Sequence, residues 1–340
     1  MNRISLLYFL LGLVLLGWLL TEADLAAAWA NILSVGGWGL AAVSGIYLVA
    51  FYVDSLSWHL AIRDLPLTLR WSYLVWRIRM VGEAFNMVVP AGGFGGEPVK
   101  AVLLNRHHAV GYREATVSII LARTVNLIGL VMFLVIGLVI MSIHDRVPEN
   151  VGWLASGGFT FLTFGVGVLF AVQHFKGFSK TGSSLAGMRI GAAVGRVLVH
   201  IQDVEDRLGE FYARRPGRFV PALGLAFLNW MIGAAETYVA LRLLGSPVDF
   251  ADAWMIEAVV QMVRAVTFFI PANLGTQDGV FVLLCGILTG APDIGLAVAG
   301  VRRVRELIFV LWGFALGSIY SMRGLIDEAK AGEGEAPPQD

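Results

Sequence analysis

Residues Met87–Leu104 read MVVPAGGFGGEPVKAVLL. The stretch holds two prolines, four glycines, an acid and a lysine, with apolar helical sequence on both sides. Proline and glycine stop a helix. Inside lipid, the backbone groups freed by such a stop must face protein or a polar cavity. The stretch therefore predicts a broken, hairpin-like element rather than a plain membrane span.

The rest of the chain sets that reading in a bilayer. Of 340 residues, 57% are hydrophobic and 15% charged, and the mean hydropathy is +0.73. That leaves too little polar surface for a soluble domain, so the composition predicts an all-α polytopic membrane protein. The formal net charge is zero, which gives no reason to expect nucleic acid as a partner. Cys285 is the one cysteine, so there is no internal disulfide. Without a Cys cluster no zinc pattern is present, and no metal or cofactor is expected. The run GGFGGEPVK lacks the Gly-Lys-Ser/Thr ending of a phosphate-binding loop. Nucleophile-elbow and metalloprotease patterns are missing too, so no enzymatic activity is expected. His107 and His108 read as surface residues, and Trp38, Trp58, Trp71 and Trp153 as interface anchors.

A bilayer core takes about 20 apolar residues per helix. On that basis spans are expected near 4–21, 37–61, 114–141, 151–173, 219–244 and 293–320. The first is read as a retained helix, with a signal peptide as its rival. Regions 72–110 and 253–290 are each interrupted, at Pro90–Pro98 and Pro271–Gly279. Lysines and arginines concentrate at 174–218 and flank region 72–110, whereas region 253–290 has none on its flanks. The positive-inside rule then puts both termini and 174–218 in the cytoplasm. Region 72–110 enters from the cytoplasm and returns there, and region 253–290 does so from outside. Two re-entrant hairpins facing each other are expected, with pairs of short full crossings as the alternative. The segment 174–218 reads as a surface-lying amphipathic helix, suited to docking lipid-synthesis enzymes. Residues 1–325 form one membrane domain, and 326–340 a disordered tail. Oligomeric state is not legible.

The two interruptions also resemble each other. VVPAGGFGGEPVKAVLL aligns with FIPANLGTQDGVFVLLC on Pro90 and Pro271, and Glu97 and Asp278 each follow seven residues later. Beyond them, LARTVNLIG places Arg123 opposite Arg303, and Asn126 opposite Glu306, of GVRRVRELIF. Long helix, broken hairpin, long helix recurs over about 37–141 and 219–320. With the opposite orientations, this predicts an inverted-topology repeat, a plan that puts the binding site at the repeat interface.

The candidate site residues follow. Pro90, Gly93 and Gly96 form one hairpin tip; Pro271 and Gly275 form the other. Glu97, followed by Pro98, has the pattern of a helix N-cap, and Asp278 is read the same way. Capping is the plain role for both acids, and exchanging protons or binding a cation is the further one. Arg123, Arg302 and Arg303 lie deep in apolar helices, where arginines are costly and mark function. A guanidinium matches two phosphate oxygens at once, so these arginines, with Asn126, Glu306 and Arg264, are the expected lipid or anion site. The competing reading is that Arg302 or Arg303 only pairs with Glu306, or that these side chains snorkel. Arg79, Glu83 and Asn86 share one helical face; Glu257, Gln261 and Arg264 share another. The alignment sets Glu83 opposite Arg264, as a cross-repeat salt bridge or as a headgroup path. Asp54 and Glu236 are further candidate intramembrane acids.

The pattern VGEAFNMVVPAGGFGGEPVKAVLLNRH, then ARTVNLIG, then FFIPANLGTQDGVFVLL resembles the lysylphosphatidylglycerol synthase transmembrane-region family, also called flippase-like. The resemblance runs from the first helix to about residue 325. It implies an integral inner-membrane protein; in the fused members, this module is implicated in flipping an aminoacylated lipid. The sequence shows no aminoacyl-transferase domain before its acidic end, so the expectation is a stand-alone member, a class that includes a hopanoid-associated group. Three functions stay open: flipping of a polar or anionic lipid, secondary transport of a small anionic solute, and a non-catalytic scaffold for lipid synthesis.

Overall fold

The computed structural model describes residues 25–63, 65–88, 95–108, 110–143, 157, 160, 216–268, 270 and 273–333, with side chains between 29 and 320. Pro90, Gly93 and Pro271, the expected first span and residues 174–215 of the segment 174–218 lie outside the described residues, as does nearly all of 151–173. Among the described residues there are eight helices and no strand: α1 Leu25–Ala61, α2 Leu69–Val88, α3 Glu97–His108, α4 Tyr112–Ser142, α5 Pro216–Leu243, α6 Phe250–Val266, α7 Thr276–Thr289 and α8 Pro292–Glu333. The fold is that of an all-α membrane protein.

Among the described residues, three helices are long and apolar enough to cross a membrane: Trp29–Ala61, Tyr112–Ser142 and Pro216–Leu243. They coincide with three expected spans. Helix α1 begins earlier than expected because it continues through a kink at Gly36, whose φ of 63° and ψ of 179° are not helical. Helix α8 runs to Glu333, so the tail expected to be disordered from 326 is helical over its first part. Its Ala, Glu and Lys residues favour helix strongly.

Both interruptions break the chain into helix pairs, α2 with α3 and α6 with α7. Helix α3 has 12 residues and α7 has 14, about 18 and 21 Å at 1.5 Å per residue. Both fall short of a hydrocarbon core of about 30 Å. At the first tip the two arms touch through glycine: a Cβ on Gly96 would overlap the backbone of Gly82.

The packing treats the two halves alike. Helix α1 lies along α5. Within the first half α1 meets α2 and α4, α2 meets α3, and α3 meets α4. Within the second, α5 meets α6 and α8, α6 meets α7, and α7 meets α8. Across the halves, α4 packs on α5 and α6, while α8 packs on α1 and α2. Exchanging α1–α4 for α5–α8 reproduces this set of pairs. One apolar cluster, with Trp58, Ile62, Val75 and Leu104, backs the first hairpin. Another, with Phe133, Ile256, Phe281 and Leu284, backs the second.

Candidate functional site

The polar residues gather where each half-helix begins. In the first half, the Gly96 carbonyl accepts the Lys100 N–H at 3.0 Å. Gly96 is therefore the N-cap and Glu97 the first helical residue, one position from the expected arrangement. Glycine serves there because the tip has no room for a Cβ. Asn86 ties the turn to its arm: its Oδ1 accepts the Gly96 N–H at 2.6 Å, and its Nδ2 donates to Glu83 at 3.1 Å and to Glu97 at 3.4 Å.

Glu97 collects the cations. Its Oε1 accepts from Lys100 Nζ at 3.1 Å and from Arg123 Nε at 3.1 Å, and the Arg123 Nη2 bonds the same oxygen. Beside this cluster, Arg79 forms an ion pair with Asp54, whose Oδ1 accepts from Asn126 Nδ2 at 3.2 Å. Asp54, Trp58, Arg79, Glu97, Lys100, Arg123 and Asn126 line a cleft with ≈ 20 Å³ of space. That holds a water but not a lipid headgroup. The Arg123 side chain is 45% exposed, whereas that of Lys100 is 4% exposed.

The second half repeats the central pair. Gly275, at φ 76°, is the N-cap of α7, and its carbonyl accepts the Gly279 N–H at 2.9 Å. Asp278 is thus three residues into the helix and not its N-cap as expected; its Oδ2 reaches back to the Gly275 N–H at 3.0 Å. The same oxygen accepts from Arg303 Nη2 at 3.0 Å, and Arg303 Nη1 donates to Glu306 at 3.0 Å. Each acid that the repeat alignment matched is held by the arginine that the alignment matched.

Deeper in the second half lies a closed network. Arg302 forks onto Glu257 at 2.9 and 3.1 Å. Glu257 also accepts from Thr237 at 2.7 Å and Gln261 at 2.5 Å. Arg305 pairs with Glu236, and its guanidinium carbon lies 3.9 Å from the centre of the Tyr47 ring. Arg302 and Arg305 are buried, so Arg302 belongs to the interior rather than to an accessible anion site. The first half carries Ala122 and Val125 at the matching positions, and Ala122 lines the cleft. Val125 is buried in the apolar cluster behind the first hairpin, whereas Arg305 in the other half is held by Glu236.

Glu83 and Arg264 form no ion pair with each other among the described residues. Glu83 faces Asn86, Lys100, Arg123 and Arg79 instead, and Arg264 lies near Glu306. Two positions that an alignment matches need not touch. Lys100 and Tyr47 are not among the residues expected at the site. Lys100 stands three residues after Glu97, which alone puts the two on one helical face.

The profile of the family described as Lysylphosphatidylglycerol synthase TM region matches residues 5–313. The chain belongs to this family, as its hairpin motifs indicated. It is also similar to a UPF0104 membrane protein of Methanothermobacter thermautotrophicus, at 21% identity over 241 residues, covering 66% of this chain and 68% of that protein. No solved structure matches the chain.

Proposed function

We propose that this membrane protein binds and flips a polar or anionic lipid between leaflets of a bacterial inner membrane. The observation that carries the reading is Arg123: a guanidinium in an apolar helix, half open to a polar cleft and paired with the Glu97 carboxylate at a hairpin tip. Membrane arginines in such places serve substrates, and a guanidinium fork suits a phosphodiester. Arg303 and Asp278 supply the equivalent pair in the second half, which supports an inverted repeat with a site in each copy. The headgroup passes along the polar tips while its acyl chains stay in lipid. The cleft is too small for a headgroup as it stands, so Arg123 must change partner during passage.

Mass spectrometry of lipids that co-purify in mild detergent tests this directly. Wild type is expected to enrich one phosphate-bearing lipid, and Arg123→Ala to lose it while still eluting as a folded species. A wild type with the same lipids as the surrounding membrane removes the reading.

The small cleft favours one rival, secondary transport of a small anion. Uptake of inorganic phosphate or a carboxylate into proteoliposomes, without lipid movement, identifies that case.

A further inference from the structure

The two tip carboxylates share a peculiarity that flipping alone does not use. Each spends one oxygen on all its partners. Glu97 Oε1 takes Asn86, Lys100 and Arg123; Asp278 Oδ2 takes Gly275 and Arg303. The other oxygens, Glu97 Oε2 and Asp278 Oδ1, are buried without a hydrogen-bond partner. The Asp278 side chain is only 4% exposed. An ionised carboxylate is an acceptor at both oxygens, and leaving one of them buried and unsatisfied is costly.

That arrangement is tolerable while the arginine neutralises the acid. A phosphate that takes the arginine puts two anions on one cation in a poorly solvated place. Like charges this close disfavour ionisation of both, and a buried charge that loses its partner takes up a proton instead. Around Glu97 stand Lys100 on its own helix, Arg123 on α4, Arg79 and Glu83 on α2, and Asp54 on α1. Asp278 faces Arg303 on α8, which also holds Glu306, and Glu306 in turn lies near Arg302 and Arg305 on α8 and Arg264 on α6. The position matching Lys100 is Phe281. Glu97 keeps a lysine when Arg123 leaves, but Asp278 keeps only a backbone N–H when Arg303 leaves.

Resting on the lipid reading above, we infer that phosphate binding at Arg303 is coupled to uptake of one proton by Asp278, and at Arg123, more weakly, by Glu97. The proton comes from water, lands on the unpartnered oxygen and leaves when the arginine returns. Proton and anionic lipid are then bound together, so a proton gradient can bias the direction of flipping.

The test is calorimetric titration of a short-chain phosphatidylglycerol into the purified wild-type protein, in two buffers of different ionisation enthalpy. The expected result is a buffer-dependent heat equal to about one proton taken up per lipid at the second site, with about tenfold tighter binding per pH unit of acidification. Asp278→Asn, which keeps the side-chain shape, is expected to bind with little pH dependence. Binding with equal heats in both buffers overturns the coupling and leaves the lipid reading standing. Full proton uptake in a folded Asp278→Asn also overturns it. No binding at any pH overturns both. The two-buffer measurement on wild type decides the matter even if the variant does not fold.

Discussion

Arg123 and Arg302 are both membrane arginines, yet their surroundings assign them opposite tasks. Arg302 is locked by two hydrogen bonds to Glu257 inside the protein. Removing one partner of such a pair leaves a bare buried charge, at a cost of about 3–5 kcal/mol. Arg302→Ala is therefore expected to lower the thermal unfolding temperature in detergent sharply. Arg123 is half exposed, so Arg123→Ala should leave that temperature nearly unchanged while lipid binding is lost. Parallel melts of the two variants check the contrast, and equal destabilisation would contradict it. At this scale the sequence marked the buried and half-buried charged residues but not their contacts. The depth of the arginines was legible from their apolar neighbours. Which acid each one holds depends on how α3 meets α4 and α7 meets α8, and no local spacing encodes that.

For the elements, the breaks were the legible part. Pro and Gly announce a stop, and the structure has both half-helices start within a residue or two of the acids. The cap itself was misplaced, because the residue that accepts the first helical bond is a glycine with no side chain to signal it. Gly96 has a second duty, since a Cβ there would overlap the Gly82 backbone. Gly96→Ala must push the arms apart, and overpacking of this kind costs about 1–3 kcal/mol. The variant is expected to melt earlier and to show faster hydrogen exchange along α3. Unchanged exchange along α3 would mean that the arms are not in this contact.

Across the whole molecule, the distribution of lysine and arginine predicts an orientation, and the paired motifs coincide with two sets of four helices that pack alike. The asymmetry between them was less visible. Ala122 and Val125 at the positions matching Arg302 and Arg305 look like ordinary drift until the structure shows a cleft beside Ala122 and a buried ion-pair network around the two arginines. The proposed opposite orientation makes a direct prediction. In a chain whose Cys285 is replaced, Asn105→Cys at the end of α3 should react with a membrane-impermeant thiol reagent from the cytoplasmic side. Ala291→Cys, between α7 and α8, should react from the other side. Reaction of both from one side would exclude inverted halves.

The cross-packing of the halves has a further consequence. Gly137 of α4 lets Ala258 of α6 come close, and Gly313 of α8 does the same for Met80 and Ala84 of α2. Each hairpin arm is thus clasped by an outer helix of the opposite half. Neither half owns a complete seat for its own hairpin. A gene severed between α4 and α5 should yield two fragments that are degraded when made singly and accumulate when made together, as complementary pieces of one interlocked object.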